Sequence, residues 1–322
     1  MSKYKVCLIV VYNHNYEKNY EIIESIYGKR FSNIYHLIPF TRRSEKNVFS
    51  VYSSSLFFGN YLAQTAQRFQ PIKFDYFFII ADDVLLNPII NEENLEKMFK
   101  VNSSTAYFPR FINLEFENKY WQRSIDALNW KMKHKGLEIE RLLPDYESWS
   151  KKLLNFNFSN KISIRSILRL GIEGYGPRAL TCFDSYGILK NVFLFLNNLA
   201  LNGLYFFKWI FKGGRSPRPL AGGYSDIFIV PSNYFSDFCH LLGMLSSSFL
   251  HVELAIPTSL LLQKDLSFSN NENLGKYGET ENPALFWDNK AGAYFFPENL
   301  LYLHPVKLSQ VESVVPLRFR RD

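Results

Sequence analysis

The chain has 322 residues, nearly half of them apolar, which is enough for a sizeable core in one large domain or two smaller units. Its formal net charge of +7 suits an anionic ligand or an anionic surface. The basic residues are nevertheless spread along the chain and cluster only at Lys29-Arg30, Arg42-Arg43 and Arg318-Phe319-Arg320-Arg321, without zinc-finger spacing or any other nucleic-acid module, so nucleic acid is not expected as a partner.

Three cysteines, Cys7, Cys182 and Cys239, stand far apart without a pairing pattern. The opening Met-Ser-Lys-Tyr-Lys lacks the apolar segment and cleavage site of a signal peptide. Both features imply a reducing, cytoplasmic setting. The sequence contains no GxSxG elbow, no GxxxxGK[ST] loop and no HExxH, which excludes the usual serine hydrolases, P-loop enzymes and zinc hydrolases.

In chain order, Lys5 to Tyr12 is a continuous apolar run that ends in Asn13-His14-Asn15, as a buried parallel strand opening onto a loop reads. A helix is predicted over 16–27, a strand over 34–40, a helix over 53–69 and a buried strand over 74–80. A helix at 91–100 and a strand at 105–110 complete an alternation typical of βαβ units, in which ligands sit at the carboxyl ends of the strands. From 111 to 219 the pattern loosens into a Trp-, Tyr- and Lys-rich insertion. Within it 191–207 carries no charge and is bracketed by Lys190 and Lys208, which suits a buried helical pair or an interfacial segment that touches a membrane. Regular structure resumes with a strand at 227–230, helices at 233–245 and 251–262, a polar loop over 267–282 and a last apolar strand leading into His304-Pro305-Val306-Lys307.

The strongest chemical signal is Phe77-Phe78-Ile79-Ile80-Ala81-Asp82-Asp83. A buried strand delivers two carboxylates to its carboxyl end, an arrangement that suits a hard cation such as Mg²⁺ or Mn²⁺. A helix-capping Asp at the start of a loop is the plainer alternative. In Gly222-Gly223-Tyr224-Ser225-Asp226, two glycines would let backbone approach a ligand closely, unless they serve an ordinary tight turn. Glu253 lies alone in an apolar run, where it is costly to bury unless paired or working. Imidazole at 304 suits Mn²⁺, and the ammonium at 307 suits phosphate.

Taken in order, these elements resemble the GT-A glycosyltransferases, whose DxD motif ends a buried strand at a similar place. The resemblance spans about residues 3–110 and 220–310, and Ala-Asp-Asp replaces Asp-x-Asp. It implies an α/β fold with a mixed, largely parallel sheet in one catalytic domain over 1–322: a nucleotide-binding half (1–110), an acceptor-side insertion (111–219) and a donor/acceptor half (220–322). It further implies Asp83 as principal metal ligand, helped by Asp82, which also faces the ribose, and by His304. The His-plus-Lys element is similar to that of glycogenin-like transferases, though with shorter spacing, and casts Lys307 on the donor diphosphate. By the same likeness Tyr12 and Asn13 hold the nucleotide base, with Arg42 and Arg43 near phosphate or ribose. Gly222 and Gly223 border the donor sugar, Asp226 grips its hydroxyls, and Glu253 either deprotonates the acceptor or supports the donor from beneath.

The implied activity is metal-assisted transfer of a sugar from a nucleotide diphosphate donor, UDP above all, to a glycan or lipid-linked glycan, as in polysaccharide biosynthesis. The enzyme would work in the cytoplasm or peripherally at the inner face of the membrane. Retention and inversion both stay open. One alternative is a non-catalytic protein with a transferase-like fold that binds nucleotide sugar or glycan. The other, a sugar nucleotidyltransferase, lacks the glycine-rich loop it would need after the first strand.

Overall fold

Val6 to Val11 and Tyr76 to Ala81 are six-residue runs in which every residue is buried, as strands covered on both faces must be. In the computed structural model, which describes residues 5–69, 73–118, 121–168, 203–289 and 293–308, they lie side by side. The chain divides into two compact units: Met1–Arg110, Gly223–Ser247 and Gln263–Asp322 form the first, Phe111–Gly222 and Ser248–Leu262 the second. The insertion expected over 111–219 falls in the second unit, which also takes in 248–262.

In chain order the strands are β1 (Val6–Val11), β2 (Ile34–Pro39), β3 (Val48–Val51), β4 (Tyr76–Ala81), β5 (Leu85–Leu86), β6 (Thr105–Tyr107), β7 (Ile112–Asn113), β8 (Ala221–Gly222), β9 (Ile227–Pro231), β10 (Ser267–Ser269), β11 (Tyr277–Glu279), β12 (Trp287–Asp288), β13 (Ala293–Tyr294) and β14 (Leu300–Leu303). The first unit is built on a seven-stranded sheet of order β10-β6-β9-β4-β1-β2-β3. Its strands are parallel except that β9 runs antiparallel to both β4 and β6. This is a mixed, largely parallel α/β sheet.

Period-two alternation assigns the two faces of the sheet. Val6, Leu8, Val10, Tyr76, Phe78 and Ile80 join one apolar cluster together with residues of β5 and β14. On the other face Phe77 stacks on Phe235 with ring centroids 3.6 Å apart. Phe235 belongs to the helix Ser232–Ser247, which packs with the helix Gly59–Phe69. That approach is close, since a Cβ at position 59 would stand 2.3 Å from Ser246 Oγ.

Two expectations need correction. The stretch 267–282 is not a loop: it supplies β10, the short helix Asn271–Leu274 and β11. These pieces are too short and polar to show a period, and they are ordered by pairing with β6 and β14. Likewise β3, an edge strand with two half-buried residues, gave no apolar run to read. The helix expected over 53–69 begins as a turn of 3-10 helix, Ser55–Phe57, before Gly59.

The second unit pairs β7 with β8 and adds the helices Gln122–Asn129, Ile139–Leu142, Tyr146–Asn155, Ile164–Leu168, Val252–Leu261 and the helical stretch 203–211. Its core holds Trp149, whose indole N–H donates to the Pro219 carbonyl at 2.7 Å beneath the Arg218 guanidinium. Of the uncharged segment 191–207, residues 191–202 lie outside the described residues. Among the described residues no helix is long and apolar enough to cross a membrane.

Gly278 of β11 marks a tight crossing in the first unit, because a Cβ there would come within 1.9 Å of the buried Tyr302 ring on β14. Overpacking of this kind costs about 1–3 kcal/mol. Gly278→Ala is therefore expected to lower the unfolding free energy by that amount and with it the urea midpoint, and an unchanged midpoint would refute the close contact.

Candidate functional site

Three backbone pairings bring the candidate residues of the first unit to one place. β1 and β4 run parallel in register, Val11 beside Ala81, and Asp82 N–H donates to the Val11 carbonyl at 2.9 Å. β9 is antiparallel to β4 with Ile227 opposite Ile80, so Asp226 lies across from Ala81, whose N–H donates to the Asp226 carbonyl at 2.8 Å. β14 is antiparallel to β5 with Leu303 opposite Leu85, and Val306 N–H donates to the Asp83 carbonyl at 2.8 Å. The carboxyl end of β4 thus receives residues from positions 82, 83, 226 and 304.

The side chains follow the backbone. His304 Nε2 lies 3.3 Å from Asp83 Oδ1 and 3.8 Å from Asp226 Oδ1. Asp83 Oδ1 is itself buried and accepts no hydrogen bond among the described residues. Burial raises the Asp226 carboxyl above the ordinary carboxylate range; the His304 imidazole opposes that shift and the Asp83 charge adds to it. Asp226, expected on a donor sugar, thus shares an imidazole with the expected metal ligand. Among the described residues no group of three or more His, Cys, Asp or Glu side chains is placed to hold a metal ion. In the arrangement present, the imidazole lies close to both carboxylates.

Asp82 is held differently. It is 3 % exposed; its Oδ1 accepts the Asn13 N–H at 3.1 Å, and its Oδ2 accepts from Asn19 Nδ2 at 2.8 Å. Burial pushes its carboxyl up to about 6, against the pull of the Asn13 hydrogen bond and with the help of the Asp83 charge. Asn19, at the start of the helix Asn19–Tyr27, was not singled out in the sequence, and its Oδ1 is buried without a hydrogen-bond partner among the described residues. Asp82 therefore ties the loop after β1 to that helix.

Tyr12 does not stack on a nucleotide base. Its ring is 0 % exposed, and its hydroxyl and His36 Nδ1 are hydrogen-bonded at 2.9 Å, while His36 Nε2 meets Glu24 at 2.9 Å. Burial, followed by the Asp82 charge, raises its phenol well above the ordinary range. The cause is parity: Tyr12 shares a face with Val6, Leu8 and Val10 and continues their cluster. The accessible aromatic of this loop is Tyr16, packed edge-on against His14 with centroids 5.3 Å apart. Asn13, His14, Tyr16, Asp82, Asp83 and Lys307 line a common cleft of about 300 Å³. Arg43 is committed within the chain, to Glu21 at 2.8 Å and Glu45 at 2.7 Å with its guanidinium over Tyr20, whereas Arg42 is exposed.

The two glycines are explained by packing. A Cβ on Gly222 would meet the Trp121 ring at 2.3 Å, and one on Gly223 would meet Phe108 at 2.4 Å and the Arg110 carbonyl at 2.6 Å. The close approach they allow is made inside the chain. In the second unit Glu253 Oε2 lies 3.0 Å from Arg123 Nε, and Arg123 also binds Asp126 at 2.6 Å. His251 caps the helix Val252–Leu261 by accepting the Glu253 N–H, and burial, reinforced by Arg123, lowers its imidazole to about 3. Glu253 is thus an ion-paired carboxylate in the first turn of a buried helix. The second unit also contains a cavity of about 480 Å³ whose walls include Lys161, Arg165, Trp209 and Arg215.

Because its folded-state pKa lies above the unfolded value, Asp82 favours the fold below about pH 4, and this contribution disappears as pH rises through about 6. Asp82→Asn removes that dependence, and a rotated Asn19 amide can still meet the new side chain. Its unfolding free energy, relative to wild type, is expected to rise between pH 4 and pH 7 by up to about 3 kcal/mol. Parallel pH profiles of the two proteins would contradict the assignment. No protein-family model matches the chain, and no curated protein matches it in sequence.

Proposed function

We propose that the chain is a glycosyltransferase of the GT-A type, transferring a sugar from a nucleotide diphosphate donor with the help of a divalent cation. The observation that carries this reading is the convergence of Asp83, Asp226 and His304 at the carboxyl end of β4, with His304 Nε2 within 4 Å of both carboxylates. The mixed, largely parallel sheet is consistent with it.

The chemical types of the three side chains suit the implied cation, although as placed they do not form a group that holds a metal ion. Two carboxylates and one imidazole form the mixed oxygen and nitrogen set that suits Mn²⁺. Asp83 Oδ1 is buried without a hydrogen bond among the described residues and faces the His304 imidazole at 3.3 Å, and a cation would satisfy it. Asp83, Asp226 and His304 would hold the ion, which when bound neutralises diphosphate charge and makes the nucleotide a better leaving group. Asp82 positions Asn13 through the backbone N–H and fixes the loop that forms one wall of the cleft. Lys307 lines the same cleft, and its ammonium would neutralise the charge that a diphosphate develops as the bond to the sugar breaks. The Tyr16 ring, 47 % exposed, takes the base-stacking role that buried Tyr12 cannot fill.

The test is a panel of nucleotide sugars with Mn²⁺ that follows sugar release with and without candidate acceptors, comparing wild type with Asp83→Ala. Release by wild type, reduced about a hundredfold or more in the variant, is expected. Equal turnover or equal donor binding by the two proteins would remove the proposal. Donor binding without release by wild type would favour a non-catalytic sugar-nucleotide binder.

A further inference from the structure

Trp209 helps to seat the helical stretch 203–211 of the second unit. Trp209 N–H donates to the Ile162 carbonyl at 2.9 Å, and Gly214 lies against the indole so closely that a Cβ would be 2.6 Å from it. Other large apolar residues of the same stretch face outward: Leu204 is 56 % exposed, Phe207 58 %, Ile210 49 % and Phe211 86 %. At about 100° per residue these four fall within an arc of roughly 120°, with Trp209 outside it.

Cations border that arc on one side. Lys208 and Lys212 are exposed at the adjoining angles of the helix, and their ammonium groups reach Asn129 Oδ1 and the Leu128 carbonyl at the end of the helix Gln122–Asn129. Lys131 follows directly in sequence and is also exposed. Burial, and then the charges of Lys131 and Lys208, lower the Lys212 ammonium, so the three lysines feel one another. Residues 203–219 contain no Asp or Glu. Cations held together against their own repulsion call for an anionic partner, and an aromatic-rich apolar stripe beside them calls for acyl chains.

We propose that 203–211 is a docking helix for an anionic phospholipid surface, lying in the plane of the interface. Leu204, Phe207, Ile210 and Phe211 enter among the acyl chains, while Lys131, Lys208 and Lys212 meet lipid phosphates. Both components are required, because one short apolar stripe gives only weak partition and a few lysines alone are screened by salt. This inference stands apart from the chemistry proposed for the first unit.

The experiment is co-sedimentation of the full chain with vesicles of phosphatidylcholine alone and with phosphatidylglycerol added. Binding to the anionic vesicles, weaker on neutral ones and reduced by salt, is expected. Phe207→Ser/Phe211→Ser should weaken binding roughly tenfold or more to either vesicle. Lys208→Gln/Lys212→Gln should erase the preference for anionic lipid, and Leu142→Ser, an exposed apolar residue elsewhere in the same unit, should bind as wild type. All substituted side chains are exposed, and thermal unfolding checks that each variant is folded. Failure of wild type to sediment with anionic vesicles, or equal binding by the phenylalanine variant, overturns the proposal. So does a concentration-dependent dimer, without vesicle binding, that the same substitutions dissolve.

Discussion

The imidazole of His304 reaches Asp83 because β14 runs antiparallel to β5, with Leu303 opposite Leu85 and Tyr302 opposite Leu86. Those strands are only four and two residues long, yet their register sets which side chain of the late segment faces the acidic end of β4. A slip of one residue would turn His304 to the opposite face and bring Pro305 into its place. The register is fixed by apolar burial: Leu85, Leu86, Leu300, Leu301, Tyr302 and Leu303 all enter the core cluster beneath the sheet. The bonds from Asn87 N–H to the Leu301 carbonyl and from Asn87 Nδ2 to the Leu300 carbonyl clamp the far end. The position of the chemistry is thus a consequence of core packing about two hundred residues apart in sequence.

That packing creates an electrostatic problem whose form defines the candidate site. Asp82, Asp83 and Asp226 are gathered at one strand end, and burial raises the carboxyls of the first and third. Two solutions are visible. Asp82 is answered by neutral donors, a backbone N–H and an amide, which support its charge without cancelling it. Asp83 and Asp226 are answered by an imidazole, the side chain whose charge is most easily exchanged for that of a metal near neutral pH. Asp82 is therefore suited to organising the loop, and under the proposed function the other pair would hold the cation.

Much of this was legible in the residues. The continuous apolar runs of β1 and β4 announced buried strands, and the adjacent Asp pair at the end of the second announced where to look. His304 and Lys307 were readable as types, although only the pairing of β14 with β5 shows that they arrive at the same strand end. Tyr12 was expected on a nucleotide base, although its parity with Val6, Leu8 and Val10 places it in the core. The ordered structure within 267–282 was illegible because partners from β6 and β14, not local periodicity, order it. Gly222 and Gly223 carried a true signal, close backbone approach, but sequence alone could not say that Trp121 and Phe108 were the approaching groups.

The overall charge of +7 conceals a separation that matters more than the sum. The cleft of the first unit places Asp82 and Asp83 with Lys307, whereas 203–219 in the second unit has Lys208, Lys212, Arg215 and Arg218 and no acid at all. Fields of exposed charges fade over about a Debye length, roughly 8–10 Å at physiological salt, so each group acts on what touches it, not on the protein's total. An anionic donor would be admitted to an acidic cleft only with a cation that reverses the local sign. An anionic surface would be met directly by the lysines. Under the two proposals one basic chain would handle two kinds of anion by different means, through a bound cation in one unit and fixed ammonium groups in the other.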